Sequence, residues 1–150
     1  MSQLLLIPIF LQGFVIFVDE FYFHLKRGLP KWERIGHPLD TISFLGCFAF
    51  TLLVSPSESH ILIYAVMSVF SCLFVTKDEF VHAQKCSPGE HWMHAMLFLL
   101  HPICLYCFYR LWLSKEFQSI LRLQAGAITL FLFYQIIYWQ FFGKRDDAKS

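Results

Sequence analysis

Residues 93–113 read MHAMLFLLHPICLYCFYRLWL, and this run decides the fold class. Arg110 is its one fully charged side chain. As a helix it is long enough to cross a bilayer core, which takes about 20 largely apolar residues. Four more apolar stretches flank it: Leu4–Val18 (carrying on through Phe21–Phe23), Thr41–Val54, Ile61–Val75 and Ala125–Phe142. The second and third are short, so their polar flanks are expected at the interface or buried against other helices. The whole chain agrees with the run: 57% of its 150 residues are hydrophobic, 15% are charged and its mean hydropathy is +0.53. A soluble domain carries about 25% charge. We therefore expect an all-α, polytopic membrane bundle of about five transmembrane helices. Residues 1–150 would form a single integral membrane domain.

The first stretch does not read as a cleaved signal peptide. No basic residue precedes it, and Asp19-Glu20 stand where a small-residue cleavage site would be. Lys26, Arg27, Lys31, Arg34, Lys77, Lys85, Lys144, Arg145 and Lys149 fall on one side of the spans, against Arg110, Lys115 and Arg122 on the other. The positive-inside rule puts the first side in the cytoplasm, with the N-terminus outside and the C-terminus inside. The net charge of +1, with no basic stripe on a soluble surface, gives no reason to expect a nucleic-acid partner. Cys104 and Cys107 lie within a span, where they read as small buried hydrophobes. The aromatic residues of the last stretch (Tyr134, Tyr138, Trp139, Phe141 and Phe142) read as an interface anchor.

The polar residues are gathered. Five of the seven histidines and six of the eleven acids sit in four clusters: Asp19 to His24, His37 to Asp40, Asp78 to His82 and Glu90 to His94. The first ends span one, the second opens span two, the third ends span three and the fourth opens span four. All four are thus expected at one end of the bundle. Within them Glu20 and His24 are four apart, and His37/Asp40, Glu79/His82 and His91/His94 are three apart, so each pair can share a helix face. Carboxylates and Glu-x-x-His pairs converging from four helices are the pattern of bundle di-metal sites. Imidazole with carboxylate suits iron, manganese or zinc, and the lack of a thiol within the clusters argues against a soft metal. The expected ligands are Glu20, His24, His37, Asp40, Glu79, His82, His91 and His94, with Asp19, Asp78, Glu90 and His101 as supporting or possible ones.

Asp19-Glu20-Phe21 also matches Asp78-Glu79-Phe80, which suggests two pseudo-repeated hairpins plus one extra helix, each hairpin giving half a site. Each cluster has a plainer explanation too. Ser87-Pro88-Gly89-Glu90 has the form of a capping box, with Glu90 as cap. His37-Pro38 can begin a helix with Asp40 in its first turn. Asp19 and Asp78 can pair with lysines or orient histidines. Together the plainer explanations weaken, because ionisable groups gathered at a membrane edge are costly unless paired or ligated. His101 lies two turns beyond His94, beside Pro102, as a deep ligand, a polar contact in a substrate cavity or a partner of a neighbouring helix. His60 stands apart as an interfacial residue.

The clusters Glu20–His24, His37–Asp40, Glu79–His82 and His91–His94 resemble those of the membrane-bound, histidine-motif, non-haem di-iron enzymes of the fatty acid desaturase and hydroxylase type. The resemblance implies oxygen-dependent oxidation of a lipid-like, apolar substrate at the cytoplasmic membrane face, with two iron ions and an electron-donor protein. It is one of site type: no His-x-x-His-His box is present, and carboxylates stand in for several histidines. A zinc hydrolase of the membrane ceramidase type is the alternative, with metal-activated water and a carboxylate base. A non-enzymatic metal or haem protein is a further one. Against haem stand the carboxylates beside the histidines. Against a carrier stands the bare outer half of the bundle.

Overall fold

The computed structural model describes residues 2–144, the side chain of Asp78 excepted, and that part of the chain is helical with no strand. Five helices in it are long and apolar enough to cross a membrane: α1 Ser2–Arg27, α2 Lys31–Leu53, α3 Glu58–Lys85, α4 Pro88–Ser114 and α5 Gln118–Phe141. Each is longer than its apolar stretch. The largest correction is to α2, which begins at Lys31 and not near His37, so that His37-Pro38-Leu39-Asp40 lies well inside the helix. Its N-cap position is Pro30, in an extended conformation. The polar opening of α2 hid it from a search for apolar runs; its best window has a mean hydropathy of 1.2, the lowest of the five.

The other starts obey local rules. Ser57 and Ser87 cap α3 and α4, their hydroxyls accepting from the backbone N–H groups of His60 and Glu90 at 3.3 and 3.4 Å. Pro88 follows at the first helical position. The turn from α1 to α2 needs Gly28: its φ is +86°, and a Cβ there would lie 2.8 Å from the Lys144 carbonyl oxygen. The next residue, the fully buried Leu29, donates its N–H to that same carbonyl at 3.2 Å, which ties the end of the described chain to the α1–α2 turn. At the other end of the bundle, the Trp112 indole N–H donates to the Val54 carbonyl, a group left open where α2 stops.

α2 and α4 form the middle of the bundle. α1 packs on α4, α5 packs on α2, and α3 packs on both α2 and α4. The core lies in the half away from the clusters: Phe48 and Phe108 stack at 4.0 Å, with Cys104, Leu105, Leu111 and Tyr64 around them. Cys104 and Cys107 are buried there as free thiols. Tyr64 satisfies its hydroxyl by donating to the Leu105 carbonyl at 2.7 Å. The outward faces carry exposed apolar residues such as Leu62, Val66, Leu99 and Leu130.

Candidate metal centre

Asp19–His24, toward the C-terminal end of α1, is a π-helix. The wider turn brings residues four and five apart into one stack. His24 accordingly reaches two acids of its own helix. Its Nδ1 is 3.2 Å from Glu20 Oε2, four residues back, and its Nε2 is 3.2 Å from Asp19 Oδ2, five residues back. All three side chains are buried. In a regular α-helix the five-apart contact would be lost, so the π turn turns two adjacent acids inward together.

The other helices meet them there. From α4, His94 donates through Nε2 to Asp19 Oδ2 at 3.3 Å, and Glu90 Oε1 lies 3.7 Å from His24 Nε2. From α2 come Glu33, wholly buried, and His37, whose ring stacks on His24 at 4.7 Å. From α3 comes His82, whose ring centre is 3.9 Å from that of His94. α5 contributes Trp139, whose indole N–H donates to Glu20 Oε1. Arg27 spans Glu33 and Glu90, at 2.6 and 2.9 Å.

Asp19, Glu20, Glu33 and Glu90 are all at most 6% exposed. Arg27 engages two of them, and the other two are met by ring and indole nitrogens. Buried carboxylates are costly unless paired, protonated or ligated. Polar atoms are left over as well: both nitrogens of His82, Nδ1 of His94, Nε2 of His24 and Oδ1 of Asp19 are buried with no hydrogen-bond partner among the described residues. Native interiors rarely leave such atoms without a reason. Two groups sharing no member have ligand atoms within 4.8 Å of one another: Asp19/His24/Glu90/His94 and Glu33/His37/His82. Two more overlap them, Glu20/His24/His37 and His82/Cys86/His94. The donor set, imidazole and carboxylate around uncommitted nitrogens, fits metal binding.

Of the expected ligands, Glu20, His24, His37, His82 and His94 come together. Asp40, Glu79 and His91 fall in none of the groups. Asp40 binds Lys77 at 2.6 Å. Glu79 is 52% exposed, its carboxylate 3.9 Å from His82. Asp19 and Glu90, expected in support, stand among the ligand groups, and the cap at α4 is Ser87 alone. Asp78 falls outside the described side chains. Its segment is a 3-10 turn running into α-helix, so the two Asp-Glu-Phe matches have different backbones. Trp139, expected at the interface, is 1% exposed and seated on the site. His60 lies apart, its Nδ1 2.8 Å from the Ser55 carbonyl oxygen.

Sequence reasoning missed Glu33 and Cys86. Glu33 sits in Lys-Trp-Glu-Arg, which reads as a polar loop until the helix is known to start at Lys31. Cys86 lies one residue past the end of α3, outside the acid-histidine pattern. Burial pushes its thiol above the ordinary range.

The site opens into a cavity of about 690 Å³ whose walls are mostly apolar and come from all the spans. Phe14 and Phe17 of α1, Ile120, Leu123 and Phe131 of α5, and Leu97 and Phe98 of α4 line it. No family model, curated protein or solved structure matches the chain. What the centre can do has to be argued from its own chemistry.

Proposed function

We propose that this chain is a multi-pass membrane oxidoreductase that holds two metal ions, iron ahead of zinc, and oxidises an apolar, lipid-like substrate. The observation that carries the proposal is the pair of disjoint ligand groups at one end of an apolar cavity. Asp19, His24, Glu90 and His94 would hold one ion and Glu33, His37 and His82 the other. Iron in such a carboxylate-rich shell supplies oxygen-dependent attack on C–H bonds.

The chain's own residues set the conditions for that chemistry. Arg27 fixes Glu33 and Glu90 in one geometry and offsets part of their charge. Trp139 orients Glu20, which leaves Oε2 on His24 as a resting place for a proton. The phenylalanines of α1 and α5 keep water from the reacting centre and present a hydrocarbon surface to the substrate. α1 docks on α4 and α5 on α2, so the wall between α1 and α5 is the route from the bilayer. By the positive-inside rule the lysines and arginines near the centre favour the cytoplasmic face, where an electron-donor protein would deliver reducing equivalents. The two Asp-Glu-Phe segments would be relics of a duplicated hairpin that kept different backbones.

Metal analysis of the purified chain, with a Mössbauer spectrum, tests this. Two irons per chain with the signal of a coupled pair are expected; iron-free protein overturns the proposal. One contact favours the zinc hydrolase instead: the buried Ser71 Oγ lies 2.9 Å from Nε2 of His101, which lines the cavity, a hydroxyl beside a base. Stoichiometric zinc with hydrolysis of an amide-linked lipid would decide for it.

A further inference from the structure

The cavity holds a second set of polar groups that the metal centre does not use. Gln12 lies seven residues before Asp19 on α1, and His101 seven residues after His94 on α4. Asp19 and His94 touch at 3.3 Å, and α1 and α4 pack together. Gln12 and His101 therefore stand at one level, two turns or about 10 Å from the centre at 1.5 Å per residue. Both line the cavity, and they are only 4% and 6% exposed.

Their hydrogen bonds are incomplete. Gln12 Oε1 is buried with no partner among the described residues. Gln135, by contrast, also lines the cavity, but its Oε1 accepts from the Thr41 hydroxyl at 2.7 Å. His101 is fixed on one side by a chain of hydroxyls: its Nε2 meets Ser71 Oγ at 2.9 Å, Ser71 meets Ser43 at 3.0 Å, and Ser43 donates to the Asp40 carbonyl at 2.9 Å. The Ser43 proton is committed to that carbonyl, so Ser71 donates to Ser43, His101 Nε2–H donates to Ser71, and Nδ1 of the neutral ring offers a lone pair. A polar side chain left open within a membrane span is costly unless something binds it.

We infer that Gln12 and His101 form a substrate-recognition subsite for a neutral lipid bearing a hydroxyl or amide about 10 Å from the carbon presented to the metals. This rests on the proposal that the cavity is the substrate's. The ligand is neutral because Asp40, the charged lining residue outside the ligand groups, is already held by Lys77 at 2.6 Å, and an unpaired charge on the ligand would be left desolvated. The group it carries hydrogen-bonds because Gln12 has an acceptor to fill.

Binding of tritiated hexadecanamide to the full chain in phosphatidylcholine nanodiscs, read by scintillation proximity, tests the subsite. Unlabelled hexadecanol should displace it at a similar concentration, whereas hexadecane and hexadecanoate should need at least tenfold more. Gln12→Leu and His101→Phe should each weaken hexadecanamide about tenfold, or about 1.4 kcal/mol. Direct binding of tritiated hexadecane should stay unchanged in both, which shows that the cavity is intact. Equal displacement by hexadecane overturns the subsite, as does a variant that loses hexadecane and hexadecanamide alike. Metal content, measured on the same samples, separates the two ideas. A metal-free protein that still prefers the amide refutes the oxidoreductase and keeps the subsite. A metal-loaded one without the preference does the reverse.

Discussion

Glu79 and Glu90 show how far two acids of similar sequence surroundings diverge once placed. Glu90 is buried against Arg27 and 3.7 Å from His24. Glu79 is half in solvent. Glu90→Ala leaves Arg27 with one partner in a buried setting, and breaking a buried pair costs about 3–5 kcal/mol. It should also remove metal. Glu79→Ala should fall within about 0.5 kcal/mol of the parent with its metal intact. Metal stoichiometry and thermal midpoints of the two purified variants check this; similar values for both would refute the assigned places. Protons compete with metal for imidazole nitrogen. Metal should therefore be retained at neutral pH and released on acidification, below the free histidine range because the bound ion itself opposes protonation. A pH series of metal retention on a desalting column reads the release, and retention unchanged down to about pH 2, where imidazoles and carboxylates are both protonated, would contradict ligation by these residues. Much at this scale was legible in the sequence, because His24, His82 and His94 are ionisable groups bordering apolar runs, where chance seldom puts them. Glu33 was not, since an acid between a lysine and an arginine looks solvated until the helix around it is known.

Among the elements, α1 differs from the rest in its π turn. Deleting Tyr22, an exposed residue inside that turn, leaves Asp19 four residues from His24, on one face of a regular helix, with Glu20 now three away. The helix should persist, since the apolar run before Val18 is untouched, and metal content should hold because both acids still reach His24. Far-UV circular dichroism and metal analysis on the same sample test it; loss of half the metal or more with normal helicity would show that the π turn itself is required. No periodicity in the sequence announced the turn, because Asp19-Glu20-Phe21-Tyr22-Phe23-His24 fits a regular helix with Glu20 and His24 on one face. The two acids it turns inward also have partners on α4 and α5, namely His94 and Trp139. The aromatic run of α5 misled for a related reason. Trp139 has the composition of an interface anchor, and only the placement of Glu20 shows what its indole serves.

Taken as a whole, the bundle separates its functions by depth. Apolar packing of Phe48, Phe108 and their neighbours lies toward one end, and the clustered, buried ionisable residues lie toward the other. That division was readable from charge placement alone, as was the number of long apolar helices. The helix starts were not, since α2 and α5 open with polar turns that packing alone explains. The division also predicts orientation. Reporter fusions after Lys26 and after Lys85 should both report the cytoplasm, and an exterior signal from either would break the common-face arrangement.

The π turn has one more consequence, and it concerns how the protein is made. Glu20 and Trp139 are 119 positions apart, so α1 emerges from the ribosome long before α5 exists. If α1 inserts as a membrane span, its two acids meet the bilayer's edge with neither Trp139 nor His94 available. His24 is present from the start, five and four residues away, and touches both. The turn thus acts as an escort built into the first helix, holding the acids until their distant partners are synthesised. An isolated α1 segment carrying His24→Phe should accordingly insert less efficiently than the natural one in a microsomal translocation assay. Equal insertion would mean that the acids cross the interval unaided.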